Sequence, residues 1–469
     1  MKRKLLLDGQ WVETGRWAAV VSPYDARLLN EVALASRGEV ERALGVAWAG
    51  RKRLQNLSTG QRREVLIGTA ARLQQRSTEM AQLISDESGK PITHARTEVA
   101  RAVETLTLAA AELARFGGEI VPVDFAPHQA GAECEVRRFP AGVVVGIVPF
   151  NFPLNLGVHK VAPALAVGAP IIVKPPPQAP SPQLLLAELV REAGADPAAL
   201  QVLPCDNEVA EALATDPKVR IVSFTGSAKI GWMLKAKVKG KATLELGGNA
   251  GAVVAADADL DRAAQRLAAS AFGYAGQVCI KVQRIVAVRE VYDAFVEKLT
   301  RETQKLRVGD PRRDDTVVGP VIDDRSADRI MEWVDEAVKG GAKVLCGNKR
   351  DGRVLEPTVL ANVPKAAKVV REEVFGPVAV VSKADDFDAA LAEVNDTDYG
   401  LQAAVFTKDL AKARHAFRTL EVGGVIIDDA PSFRSDNMPY GGVKGSGLGR
   451  EGVRYAMEDF TEPRVLLTR

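Results

Sequence analysis

Parallel β-sheets covered by α-helices, an α/β fold in two successive regions, are what this sequence predicts, and three observations carry the expectation. From Gly142 onward short apolar runs alternate with helical stretches; the alternation starts afresh at about Leu246 and continues to Val425; and the stretch from Glu119 to Arg138 has the texture of a hairpin rather than of either. Strands alternating with helices build a parallel sheet, and ligands then bind beyond the carboxyl ends of its strands. With 469 residues, 46% of them hydrophobic, the chain has room for two or three such domains.

Taken in order, Glu39 to Gly117 reads as helical. Ser58, Ser77 and Thr93 are candidate N-caps, and Val99, Val103, Leu106, Ala110 and Leu113 share one helical face before Gly117 and Gly118 stop the run. In the hairpin that follows, EIVPV and ECEVRRF alternate as strands do. VVVGIVP, IIVKP, LQVLP and RIVSFTG are strand candidates; between them SPQLLLAELVREAG is a helix that Ser181 caps, Pro182 starts and Gly194 ends. The second alternation carries Cys279 at the end of its first long helix, and the tail FTEPRVLLTR reads as a last strand with no partner near it in sequence.

Composition narrows the function classes. A formal net charge of +2 without long blocks of one sign gives no reason to expect a nucleic acid or membrane partner. The apolar stretches are broken well short of a span, and MKRKLLLDGQW is too short in apolar residues for a signal peptide. Cysteines at 134, 205, 279 and 346 show no metal-binding spacing, so a reducing, cytoplasmic setting without a structural metal is expected.

The chemistry concentrates between Leu244 and Arg284. LELGG puts a carboxylate, Glu245, before a double glycine, and GYAGQVCIKVQR delivers Cys279. A free thiol with a pKa of about 8.5 is mostly protonated near neutrality and needs activation before it is a nucleophile. Glu245 is the nearest candidate base. The ordinary alternative for a lone cysteine is a buried inert thiol, and Cys134, Cys205 and Cys346 are read that way.

LELGG followed by GQVC resembles the signature of the NAD(P)-dependent aldehyde dehydrogenases. PFNFP at 149–153, KPPP at 174–177, FTGS at 224–227, EEVFGP at 372–377 and PYGGVKGSGLGREG near the C-terminus follow the family's order over nearly the whole chain. The resemblance implies the aldehyde dehydrogenase fold: a Rossmann-like cofactor domain (1–118 and 139–245), a catalytic domain (246–427), a small β oligomerisation arm (119–138 and 455–469), and a substrate-entrance loop returning to the cofactor domain (428–454). It implies a homodimer or homotetramer in which a neighbouring subunit shares the arm's sheet.

It further implies that Cys279 attacks an aldehyde, that Asn151 and the Cys279 backbone N–H hold the oxyanion, and that Glu245 activates the water that releases a free acid, as members that acylate coenzyme A generally lack that glutamate. Cofactor contacts carried over are Pro149, Phe150 (where tryptophan is commoner), Lys174, Gly226, Ser227, Leu246, Glu373 and Phe375. Without the resemblance, Gly226 and Ser227 would be read as a plain helix cap, Lys174 as a solvated strand-end lysine, and Glu373 with Phe375 as an exposed glutamate beside a packed ring. Pro177 stands where NAD-preferring members usually place a ribose-binding glutamate, so the cofactor is NAD or NADP, with NADP accepted or preferred.

Arg434, on the entrance loop, and Arg101 and His159 occupy positions similar to those that contact anionic groups in some members, which points to a small anionic or hydroxylated aldehyde of the lactaldehyde, semialdehyde or glyceraldehyde phosphate kind. Each has a structural alternative: a solvated helix face for Arg101, a core histidine for His159, an intersubunit pair for Arg434. Arg284 is open between a structural and a substrate role. Two rival functions stand beside this one, a cysteine hydrolase or acyl transferase without redox chemistry, and a catalytically silent dinucleotide-binding protein.

Overall fold

The computed structural model describes residues 2–469. Its first sheet has eight strands, and five of them run parallel in the spatial order Lys241–Leu246, Val219–Gly226, Val143–Ile147, Ile171–Lys174 and Leu200–Val202; the last four are the apolar runs singled out in the sequence, and the first was not foreseen as a strand. Chain order reverses between Val143–Ile147 and Val219–Gly226, which opens a crevice beyond their carboxyl ends. Strands buried on both faces must be apolar on both, and Val143, Val144 and Val145 all lie at 0% exposure. The sheet is extended at one edge by Leu5–Leu7 and Gln10–Val12, and at the other by Gly447–Leu448, which runs antiparallel to Lys241–Leu246. The N-terminal leucines are thus a sheet strand next to the edge strand Gln10–Val12, which the helical reading from Glu39 onward did not include.

A second, seven-stranded sheet is built from Gly251–Val254 through Gly424–Ile427, parallel except for Lys343–Cys346. The hairpin pairs Glu119–Val121 with Glu133–Pro140, and the tail, Thr461–Thr468, joins the other side of Glu133–Pro140. Val465, Leu466 and Leu467 on that strand are all more than half exposed. Among the described residues no helix is long and apolar enough to cross a membrane, and no group of three His, Cys, Asp or Glu could hold a metal ion.

Several boundaries differ from expectation for local reasons. Ser58 caps its helix through a reciprocal pair of hydrogen bonds with Gln61, but Ser77 is the first residue of a helix preceded by Arg76, and Thr93 lies inside one that starts at Ile92 after Pro91. That helix ends at Glu112, short of Gly117 and Gly118. Ser181 is helical and Pro180 precedes it. Cys279 is not at a helix end: the helix Leu260–Phe272 stops first, and the thiol sits on the loop beyond.

One buried ion pair sets the loop after Val143–Ile147. Lys90 and Glu98, both about 1% exposed, bond to each other. The other Glu98 oxygen accepts the backbone N–H groups of Leu154 and Asn155 at 2.9 and 3.0 Å, at the start of the helix Asn155–Val167. The Lys90 ammonium stands 3.5 Å from the centre of the Phe152 ring. Removing one partner of such a pair leaves a buried charge and two donors uncompensated. Glu98→Ala is therefore expected to lose about 3–5 kcal/mol of stability in urea denaturation, whereas deleting the exposed Arg37–Glu208 pair should leave the midpoint where it is.

Candidate active site

The thiol is delivered by a turn that only particular backbones allow. Tyr274, Ala275 and Gly276 all have positive φ (54°, 52° and 65°), and a Cβ on Gly276 would fall 2.2 Å from the Gly376 carbonyl oxygen. Gln277 locks the turn: its amide donates to the carbonyls of Tyr274 and Pro320, and its side-chain oxygen accepts the Ile322 N–H at 2.9 Å. Asn151, from the loop after Val143–Ile147, donates through Nδ2 to the Gln277 carbonyl at 3.0 Å. That leaves its second N–H, and no hydrogen bond among the described residues uses the Cys279 N–H.

Cys279 Sγ lies 3.0 Å from Tyr440 Oη, and the Tyr440 hydroxyl donates to Glu245 Oε1 at 3.3 Å. Glu245 occupies the buried strand Lys241–Leu246, between Thr225 on one neighbour and Gly447 on the other. Burial first, and then the nearby Glu451 carboxylate, push its carboxyl up to about 8, against the pull of Arg434 and Lys160. Burial and the proximity of Glu245 likewise push the Cys279 thiol well above its ordinary value. Near neutrality the pair is thus a thiol beside a carboxyl that readily keeps its proton, and a nucleophile appears only from the form in which Glu245 is ionised and can take up the thiol proton. Cys205, buried beside Lys174, is pushed to about 11 and is inert near neutrality; all four cysteines are free.

At the sheet's crevice, the residues present fit a dinucleotide. Ser227 precedes the helix Ala228–Lys237 without its side chain bonding a first-turn N–H, so those donors stay open to a phosphate. Lys174, at the end of Ile171–Lys174, is buried and makes no ion pair among the described residues; burial lowers its pKa. Pro177 is exposed and brings no carboxylate. Glu373 is pushed up to about 7 by burial and accepts the Gly248 N–H at 3.1 Å. A Cβ on Gly247 would lie 2.0 Å from that carboxylate, which explains the first of the two glycines. Phe150 and Phe375 meet edge to face at 5.9 Å, joining two distant motifs. Pro149 and Phe150 are half-buried, and Leu246 packs under the helix at Gly231.

The three residues assigned to an anionic substrate need correction in position. Arg434 does not stand at an entrance: its side chain is 7% exposed, its guanidinium lies 3.8 Å from the centre of the Tyr440 ring, and it donates to Glu451 at 3.1 Å. Arg101 forks onto Asp436 at 2.6 and 3.0 Å rather than onto a solvated face. His159 is fully buried, with Nε2 2.9 Å from Asp436 Oδ1, so it supports Asp436 and cannot itself reach a substrate. Burial and Arg434 keep the His159 ring neutral, while its bond and that of Arg101 hold Asp436 well below the usual carboxylate range. Arg284 is structural, bonding the carbonyls of Asn249, Glu393 and Val394.

Sequence reasoning missed Tyr440, Glu451, Asp436 and Lys160. Lys160 Nζ contacts Thr225 Oγ1 at 2.7 Å, Ser223 Oγ at 3.2 Å and Glu451 at 3.1 Å. Tyr440 and Glu451 lay within the quoted PYGGVKGSGLGREG run, but a motif does not say which way a side chain points.

The Glu245 carboxyl has an ordinary value of 4.5 and a folded value of about 8, so between the two the folded state holds a proton that the unfolded chain has lost. Its contribution to stability is full below the lower value and disappears as pH rises through the upper. Urea denaturation of Glu245→Gln against the parent should show the variant gaining relative stability from about pH 5 to about pH 8 and levelling above. A gap that does not move with pH contradicts the raised carboxyl.

A sequence model of the aldehyde dehydrogenase family matches residues 11–466. The chain is 43% identical over 465 residues to a 3-sulfolactaldehyde dehydrogenase of Priestia aryabhattai, covering 99% of this chain and 97% of that protein. It superposes with a TM-score of 0.98, at 41% identity and over 100% and 98% of the two chains, on aldehyde dehydrogenase 21 from Physcomitrella patens, solved with the reaction product succinate. A NADP-dependent glyceraldehyde-3-phosphate dehydrogenase from Bacillus halodurans, solved with NADP, gives a TM-score of 0.97 at 34% identity over 100% and 99%.

Proposed function

The chain belongs to the aldehyde dehydrogenase family, an NAD(P)-dependent oxidoreductase acting on aldehydes, and from that premise we propose that it oxidises a small anionic aldehyde to the free acid and accepts NADP. The observation that carries the substrate class is the charge around the thiol. Arg434, which acts on the thiol, and Arg101 and Lys160 beside it face the carboxylates of Asp436 and Glu451, three cations to two anions in this cluster. A guanidinium is the group best suited to a carboxylate, sulfonate or phosphate. The sulfolactaldehyde enzyme and the succinate-bound enzyme named above handle compounds of this kind.

In this reading Cys279, as thiolate, adds to the aldehyde carbon. The free N–H of Asn151 and the Cys279 N–H hold the oxygen that becomes negative; losing one such donor reduces rate by about 10² to 10³. Lys174 and the helix start at Gly226 and Ser227 hold the dinucleotide phosphates and adenosine ribose, Glu373 the other ribose, and Phe375 the ring, with Pro149, Phe150 and Leu246 alongside. The bound nicotinamide supplies the acceptor for the hydrogen and electron pair that leave the substrate carbon. Glu245, after its first proton has passed to solvent, takes a proton from the water that attacks the Cys279 thioester and returns it to the departing thiolate, freeing the acid and restoring the thiol. An uncompensated Lys174 and the absence of a carboxylate at Pro177 favour a 2′-phosphate. The exposed strand Thr461–Thr468 supports pairing with another copy, as a homodimer or homotetramer, and free thiols suit the cytoplasm.

Glu245→Gln should slow release of the acid and accumulate acylated Cys279 after no more than one equivalent of reduced cofactor, seen by mass spectrometry; steady turnover at the parent rate excludes the assigned role. Across an aldehyde panel with NAD and NADP, anionic substrates should lead and NADP be used. Arg434→Gln should lower kcat/KM for anionic aldehydes by about 10 to 10² more than it does for neutral ones. Equal or better activity on neutral aldehydes by the parent enzyme removes the anionic reading.

A further inference from the structure

We infer that Tyr440 is a catalytic residue of the first half-reaction: its hydroxyl relays the Cys279 proton to Glu245. The inference rests on the reading of Cys279 as nucleophile and Glu245 as base, and adds how the one is discharged by the other. Oη stands between them, 3.0 Å from Sγ and 3.3 Å from Glu245 Oε1, with the side chain 2% exposed. A phenol has one hydrogen to give and lone pairs that accept, whereas an ionised carboxylate only accepts. Once Glu245 is ionised, the arrangement that satisfies both neighbours is S–H to Oη and O–H to Glu245, a chain pointed from thiol to base. As the S–H bond breaks, its proton joins Oη; the original O–H proton moves to Oε1. Tyr440 ends as it began, Cys279 is a thiolate and Glu245 a neutral acid.

The surroundings favour that direction. Burial and the neighbouring Cys279 and Glu245 hold the Tyr440 hydroxyl well above its ordinary pKa, so it keeps its hydrogen in the chain; Arg434, anchored on Glu451 at 3.1 Å and 3.8 Å from the ring centre, acts the other way and makes the O–H a better donor. Burial strengthens each bond of the chain relative to water. Glu245 is also close enough to Sγ for the two to interact directly, so a shorter route competes. The two routes differ in what they require: only the relay needs the hydroxyl, and needs it while Sγ still bears hydrogen. Once Sγ is acylated the relay has no proton to carry.

Tyr440→Phe keeps the ring and its stacking on Arg434 and removes only Oη. Iodoacetamide labelling of Cys279 in the Tyr440→Phe enzyme should slow by about tenfold or more near pH 7, with the pH profile displaced upward, and the first-turnover burst of reduced cofactor should slow by a similar factor. Hydrolysis of an acyl group preloaded from p-nitrophenyl acetate should stay within about twofold of the parent. Labelling and burst equal to the parent overturn the relay; so does an equal slowing of burst and acyl hydrolysis, which is the mark of a packing role. Should Tyr440→Phe not fold, 3-fluorotyrosine at 440 retains the hydroxyl but makes it more acidic: an altered burst rate and pH profile support the relay, and unchanged ones overturn it. If the parent enzyme is itself never labelled or acylated at Cys279, it is the underlying assignment of the nucleophile that falls instead.

Discussion

Low dielectric around a carboxyl and a thiol is the constraint on which the site depends. Glu245 sits on a strand buried among other strands, and its neighbours include a second carboxylate, Glu451. In water both acids would ionise and the thiol would find no base strong enough to matter. Here burial and mutual repulsion drive the two carboxyls apart: Glu451, paired with Lys160 and Arg434, stays ionised, and Glu245 is lifted into the range where a general base works near neutrality. The same surroundings keep the thiol protonated until it is needed, so reactivity belongs to the assembled group.

The rest of the molecule can be understood as what holds that group in register. The reversal of strand order places the ends of Val143–Ile147 and Val219–Gly226 side by side, with Asn151 on the loop after the first and the helix start at Ser227 after the second. Glu98, paired with Lys90 and 56 residues before Leu154 in the chain, ties down the loop behind Asn151 through backbone N–H groups. The turn at Tyr274–Gly276 and the Gln277 clamp bring the thiol loop to the same place. Each device is a buried polar contact that is satisfied, and none tolerates half of its partners being removed.

Much of this was legible beforehand, and the reasons are physical. Central strands buried on both faces are apolar throughout, so Val143–Ile147 and Ile171–Lys174 stood out from their composition alone. Chemistry carried by motif order, at Cys279, Glu245 and Asn151, was equally visible, and these residues do converge. Helix starts were not: Ser77 and Thr93 look like caps, but Arg76 and Pro91 precede the helices, and a hydroxyl in the first turn is indistinguishable in sequence from one just before it. Arg434 was correctly drawn to the site and wrongly drawn to its mouth, because a sequence shows a guanidinium but not the ring it lies on. Tyr440 was invisible as chemistry for the same reason. Its role comes from a contact across some two hundred residues of chain, with Glu245 on a strand and Cys279 on a loop.

The edge strand Gly447–Leu448 and the residues on either side of it carry one more implication. Tyr440, Arg434, Asp436 and Glu451 all belong to the closing stretch of the polypeptide, and so does Thr461–Thr468, which completes the hairpin's sheet. During synthesis the cysteine and the glutamate leave the ribosome long before these late segments exist. Until they arrive, the pocket has no phenol against the sulfur and no counter-charge beside the acid. Reactivity in the nascent protein is therefore withheld until translation is all but finished, and a product cut short by even its final few dozen codons would be born without a working centre.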